Sequence, residues 1–353
     1  MNNTLVIGTG GCGNKLINTF VELLNSRDEL HASYDGVFVN SNKNEMEILD
    51  NCDLQRNALV INGDGTGRNA SKAKESISLD RIKVMNYFAR IIDKYQSAIL
   101  MTSLDGGFGN GSVDIITKIL KQLNPDIKIF LLGASAKLKS KKISLDNTLS
   151  LYTDIKRLIK IGQIDSYMFI DNDKMDDEEE FNIRTMSLFL NSLELGEETL
   201  DSNDSLLVNF AKGYKMILPL SNKFNSVKDA IDDAIRKSPF VLPNKIKCTH
   251  IYGTYNSDDY SEESILSEYN ITLFDKLVSS DSTFLVLNGF ADPDKHMAML
   301  NTAYELLDCE EEDEDESEEF TFNKKKTVKT EPKVEKKNKK QRLRSMMDDS
   351  FWG

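Results

Sequence analysis

Short apolar runs alternate along this chain with stretches in which apolar residues return every third or fourth position. Residues 4–7, 36–39, 58–61, 98–101 and 127–132 are apolar runs too short for helices and predict buried strands. Between them, Leu16, Ile17, Phe20, Leu23 and Leu24 fall on one helical face, as do Ile115, Ile116, Ile119, Leu120 and Leu123, and residues 79–95 carry a further helical pattern. Strand and helix in alternation predict an α/β fold whose right-handed crossovers lay the strands parallel. After a strand near residue 167 and an acidic link over 176–180, a long helix is predicted over 181–197. Residues 214–218, 246–255 and 283–287 then read as strands, 227–236 as an amphipathic helix stopped at Ser238 and Pro239, and 296–307 as a last helix. This pattern predicts a parallel-sheet domain over residues 1–177, a central helix and following loop over 178–212, and a smaller α/β domain over 213–308.

The remaining residues, 309–353, change character. Residues 310–319 are nearly all acidic and 324–344 mostly Lys and Arg, with too little apolar surface to fold alone, so a disordered charged tail is expected. Such opposed charge blocks serve solubility in the plainest reading, but Leu343, Met346, Met347, Phe351 and the single tryptophan, Trp352, also suit a docking peptide. With 353 residues and 40% hydrophobic content, the rest can bury a sizeable core. The charge of -13 argues against non-specific nucleic-acid binding by the globular part. No apolar run reaches membrane-spanning length, and the first residues enter a strand without a signal-peptide pattern, so a cytoplasmic protein without a membrane partner is expected. Cys12, Cys52, Cys248 and Cys309 are scattered and histidines number three, which predicts neither disulfides nor a zinc site, and no direct metal ligand stands out.

Three predicted strands run into glycine-rich loops that precede helices: residues 8–14, 62–69 and 104–112. Glycines permit close approach, and the free amides and dipole of a helix start favour anions, so a phosphate ligand is the first expectation and a flexible turn the bland alternative. In an open α/β sheet these loops share the carboxyl edge and converge. Gly8, Gly10 and Gly13 satisfy the GxGxxG spacing of a dinucleotide site, which keeps a Rossmann oxidoreductase in view; against it, Asn40, Ser41 and Asn42 stand where an acid would hold the ribose. Neither the first nor the last loop ends in the Gly-Lys-Ser/Thr of a Walker site.

These loops resemble, in order and spacing, those of the tubulin/FtsZ superfamily. Residues 10–14 resemble its first nucleotide loop, 63–69 its third, and 103–111 its GGGTGSG signature, with Asp105, Phe108 and Asn110 in place of the first glycine, the threonine and the serine. The resemblance implies a GTP/GDP cradle from Gly10, Gly11, Cys12, Asn14, Asn40, Gly65, Thr66, Gly67, Gly106, Gly107, Phe108, Gly109, Asn110 and Gly111, with Mg2+ on the triphosphate and Asp64 as an outer partner. It implies that Asn172 reads guanine, that Phe181 stacks on the base, and that Thr185, or in competition Asn182, makes a polar contact. Residues 199–204 resemble the catalytic loop Asn-x-Asp-x-x-Asp, with Thr199 for the asparagine, making Asp201 and Asp204 the catalytic acids for a nucleotide on the neighbouring subunit. The plain alternative for either acid is a helix N-cap. Residues 213–307 resemble the activation domain. There, Asp292, Pro293 and Asp294 match an FtsZ loop, while the helical pattern after His296 favours the TubZ branch. By that resemblance the chain is a GTPase that polymerises head to tail and segregates plasmid or phage DNA, its tail engaging a TubR-like adaptor on centromeric DNA. Division and phage-positioning tubulins are the alternatives within the superfamily.

Overall fold

The computed structural model describes residues 3–27, 33–243 and 247–318. Six parallel strands form its first half: β1 (Thr4–Thr9), β2 (Tyr34–Asn40), β3 (Ala58–Val60), β4 (Ser97–Ser103), β5 (Lys128–Ala134) and β6 (Ser166–Ile170). The second half continues the same sheet with β7 (Gly213–Leu220), β8 (His250–Tyr255), β9 (Phe274–Ser279) and β10 (Thr283–Phe290). The ten strands lie in the order β3-β2-β1-β4-β5-β6-β7-β10-β8-β9, with β10 antiparallel to both of its neighbours. The α/β fold expected from the alternation is therefore present. The halves meet in a short parallel pairing, Ser166 with Gly213 and Tyr167 with Tyr214. Packed rings reinforce it: Tyr214 lies edge-on to Tyr167 and Phe169, accepts from the Phe169 N–H (3.0 Å) and donates to the Val241 carbonyl (2.8 Å).

The helices are α1 (Gly10–Leu24), α2 (Lys43–Glu47), α3 (Ala70–Leu79), α4 (Arg81–Ala89), α5 (Phe108–Leu123), α6 (Lys142–Lys160), α7 (Glu178–Thr199), α8 (Ser202–Asn209), α9 (Val227–Lys237), α10 (Glu262–Ser267) and α11 (Asp294–Glu318). Several differ from the pattern. The helix expected over 79–95 breaks at Asp80, whose buried carboxylate accepts from the backbone (2.8 Å) and side-chain amide (2.7 Å) of Asn62. The acidic link over 176–180 is partly helix: Asp177 accepts from the Glu180 N–H (2.9 Å), and Glu178, Glu179 and Glu180 form the first turn, where the helix dipole favours acids. α6 escaped the periodicity because Ser144 and Thr148 share its buried face with Leu145, Leu151 and Ile155; Thr148 satisfies its hydroxyl on the Ser144 carbonyl (2.9 Å). β9 is an edge strand, half exposed and interrupted by Asp275 and Lys276, and lacks an apolar run. α11 runs on as backbone to Glu318, past the expected limit at residue 307, glutamate being a good helix former. Residues 319–353, with the basic block and the apolar end, lie outside the described residues. No helix among the described residues is long and apolar enough to cross a membrane.

Candidate nucleotide site

α1 and α5 start inside the glycine runs, at Gly10 and Phe108, so the expected loops are largely helix N-termini aimed across the carboxyl edge of the sheet. They enclose a cleft of about 480 Å³. Gly10, Gly11, Cys12, Asn40, Gly65, Thr66, Gly67, Gly106, Gly107, Phe108 and Gly109 line it. The glycines let the loops interlock: Gly10 has φ 71°, and a Cβ there would lie 2.8 Å from the Gly109 nitrogen. A Cβ on Gly107 would meet Thr66 Oγ1 at 2.4 Å and the Arg68 carbonyl carbon at 2.9 Å.

Other expected ligands sit behind this wall. Asn14 is buried and exchanges hydrogen bonds with the backbone of Val39 (3.3 and 3.4 Å). Asn110 donates to the carbonyls of Leu104 (2.7 Å) and Asn147 (2.8 Å), and Gly111 packs against the Ala70 backbone. The guanine set is not on the cleft wall: Asn172 donates to the Ser135 carbonyl (2.7 Å), Phe181 is core with the Arg184 guanidinium over its ring, and the buried Thr185 donates to the Phe181 carbonyl (2.7 Å).

The structure adds residues that the loop motifs did not single out as ligands. Asn147 on α6 donates to the carbonyls of Arg68 (2.9 Å) and Asp105 (3.1 Å) and so ties the second glycine loop to the third. Glu45 faces Gly11, its two oxygens accepting from Asn40 and Asn42 at 2.9 Å each. Asp105 and Arg68 also line the cleft, beside Asp64, the expected outer partner of Mg2+. Burial, with the charges of Asp105 and Glu178 outweighing Lys15, pushes the Cys12 thiol up to about 12, so it stays neutral. Among the described residues no three His, Cys, Asp or Glu side chains converge to hold a metal. A Mg2+ ion here suits coordination chiefly by phosphate oxygens and water, with single carboxylates such as Asp64 at its margin.

Asp201 and Asp204 are not among the residues that line this cleft. Glu178, which opens α7, pairs with Lys15 of α1 at 2.8 Å, and the 22 residues of α7 then span about 33 Å before the acid loop. Asp201 is the N-cap of α8, accepting from the N–H groups of Asn203 and Asp204 at 2.9 Å each. Asp204 is in the first turn, and its carboxylate has no hydrogen bond or ion pair among the described residues.

Residues 3–178 match the family described as "Tubulin/FtsZ family, GTPase domain". The chain carries a tubulin/FtsZ GTPase domain. Members of this family bind GTP and GDP, and with this match the dinucleotide alternative for residues 8–13 falls away. The tubulin-like protein CetZ of Pyrococcus horikoshii is 25% identical over 227 residues, 59% of this chain and 58% of CetZ, so the chain spans less than two thirds of that relative. Among solved structures, a tail-truncated TubZ of Clostridium botulinum phage c-st superposes with a TM-score of 0.75 at 19% identity, covering 86% of this chain and 96% of that one. A GTPγS-form protofilament of TubZ from Bacillus thuringiensis serovar israelensis gives 0.73 at 15% identity, covering 91% and 95%. These likenesses establish the fold of the GTPase domain and of the strands and helices that follow it.

Proposed function

We propose that the protein binds GTP in this cleft, assembles head to tail, and hydrolyses the nucleotide at the junction between two copies. The observation that carries this reading is the separation of cleft and acids by the length of α7, about 33 Å, which keeps Asp201 and Asp204 from their own nucleotide. A second copy stacked end on supplies them. Asp204 then orients a water and takes its proton during in-line attack on the γ-phosphorus, while the bond to the bridging oxygen breaks and GDP leaves. Asp201 holds α8 in place through its cap. The helix-start amides cradle the phosphates, and a bound Mg2+, with Asp64 at its margin, would neutralise part of the triphosphate's charge. Guanine falls at the head of α7, where Asn172, Phe181 and Thr185 reach it once the first turn shifts and their present bonds exchange.

The cellular role we assign is DNA segregation in a bacterial cytoplasm, through a TubR-like adaptor engaged by residues 319–353, supported by the likeness to solved TubZ structures. An FtsZ-like division filament or a phage-positioning filament is the second reading, and the sequence likeness to the tubulin-like protein CetZ keeps the role open beyond the TubZ branch. Mixing two variants tests the junction. Gly109→Val keeps its acids but loses nucleotide, and Asp204→Ala keeps nucleotide but loses the acid. Phosphate release that is absent from each alone and returns in the mixture supports catalysis between copies; wild-type release from Asp204→Ala alone overturns it.

A further inference from the structure

Three carboxylates and one cation face each other across the cleft. Glu45, Asp64 and Asp105 line it, and Arg68 is the only lysine or arginine among its lining residues. A triphosphate adds negative charge to this space, so backbone amides alone would work against an opposing field. Asp105 makes the opposition sharpest, since it stands where the superfamily signature has glycine, and its charge is felt at Cys12. Arg68 lies opposite that acid, with Nη1 3.9 Å from Asp105 Oδ2 and a second bond from the guanidinium to the hydroxyl of Ser144.

The backbone of Arg68 points the same way. Its φ of 63° is the only positive value at a non-glycine among the described residues, whereas Gly63, Gly65 and Gly67 occupy the other left-handed positions of this loop. A glycine would adopt that conformation freely; an arginine is strained there by about 1–2 kcal/mol. The strain is held by Asn147 on the Arg68 carbonyl (2.9 Å) and by the turn from the Asn69 N–H to the Thr66 carbonyl (3.0 Å). A strained residue on a cleft wall, where glycine would sit without strain, points to a use for its side chain.

We propose that Arg68 binds the γ-phosphate of GTP in its own chain's cleft, exchanging Asp105 for the phosphate, so that it distinguishes GTP from GDP and stabilises the charge that builds during hydrolysis. The guanidinium moves no proton. It pairs with the γ-oxygens while water bonds to phosphorus and the bridging bond breaks. The inference rests on this cleft being the GTP site, and the following measurements separate the two.

Arg68→Gly removes the guanidinium and relieves the positive φ, so the loop keeps its path. Calorimetric titration of the full chain with GTP and with GDP should show GTP affinity reduced about 10- to 100-fold, the worth of a charge-assisted bond, with GDP affinity unchanged. Phosphate release per polymerised subunit should fall by about 10³-fold, and added guanidinium should restore part of it. Asp105→Asn should tighten GTP binding. Equal loss of GTP and GDP affinity would reduce Arg68 to a loop-shaping residue and overturn the proposal, as would unchanged GTP affinity and turnover. Wild-type protein that binds neither nucleotide would overturn the cleft assignment itself, and Arg68's role with it.

Discussion

The two ends of α7 are built on opposite principles. At its head, the candidate nucleotide cleft is built on close-packed backbone: glycines bring three loops into contact, side-chain amides from Asn110 and Asn147 tie the carbonyls behind them, and a few charged side chains, Arg68 and Asp105 among them, complete the lining. At its foot, the acid-bearing α8 is held by buried side chains around a single hub. Asn209 Oδ1 receives Lys215 Nζ (2.9 Å) and the Tyr252 hydroxyl (2.6 Å), and its amide donates to Ser205 (3.2 Å). Lys215 is 1% exposed, and burial lowers its pKa to about 7. Where backbone amides form most of a phosphate cradle, departures such as Phe108 are tolerated, because a backbone N–H belongs to every residue type but proline. A side-chain hub in a dry interior tolerates little, since each removed partner leaves another unsatisfied.

The largest break in this comparison comes from putting a side chain into the wall. A Cβ on Gly109 would lie 2.6 Å from Thr102 Oγ1 and 3.1 Å from the Thr9 carbonyl oxygen, so Gly109→Val should abolish measurable GTP binding and assembly with it. Calorimetry decides the matter; wild-type affinity in this variant would move the phosphates elsewhere. Next in size, Asp201→Ala and Asp204→Ala should each keep GTP binding while phosphate release from assembled protein falls about 10²–10⁴-fold. Urea unfolding sharpens the division between the two acids: Asp201→Ala loses its helix cap, about 1 kcal/mol of stability, whereas Asp204→Ala loses only a first-turn dipole contribution of about 0.3 kcal/mol. Equal destabilisation would erase that division.

The foot should also respond to pH. An unfolded chain keeps this lysine protonated up to its ordinary 10.5, the folded chain only up to about 7. Unfolding between those values takes up a proton, so stability rises with pH across that window and levels off below it. Lys215→Met should flatten the rise between pH 7 and pH 9 in denaturant titrations; an unchanged slope would exonerate Lys215. The smallest effect is expected from truncation after Asp308, which removes the acidic end of α11 and residues 319–353. Stability and nucleotide affinity should shift by no more than about 0.5 kcal/mol while adaptor capture is lost. Loss of assembly itself would instead make the tail a bridge between subunits.

The glycine loops, the strands before them and the helices after the first and third were legible along the chain, as was the cap-or-catalyst ambiguity of Asp201, whereas the helix after the second loop, Ala70–Leu79, had no bounds until the structure separated it from Arg81–Ala89 at Asp80. α6 was not, because hydroxyls share its buried face, and Asn147 was hidden with it. β9 was missed because an edge strand needs no apolar run.

The chain by itself determined its local units. Strand period, helical period and the left-handed backbone of the glycine loops depend on each residue and its near neighbours. Only the tertiary structure decided which loops touch, that Asn147 ties them, that Arg68 faces Asp105, and that about 33 Å of helix in α7 lies between the Glu178–Lys15 pair and the acids. Those relations join residues far apart in sequence. They follow from sheet order and crossover packing, in which many weak contacts outweigh any single local preference.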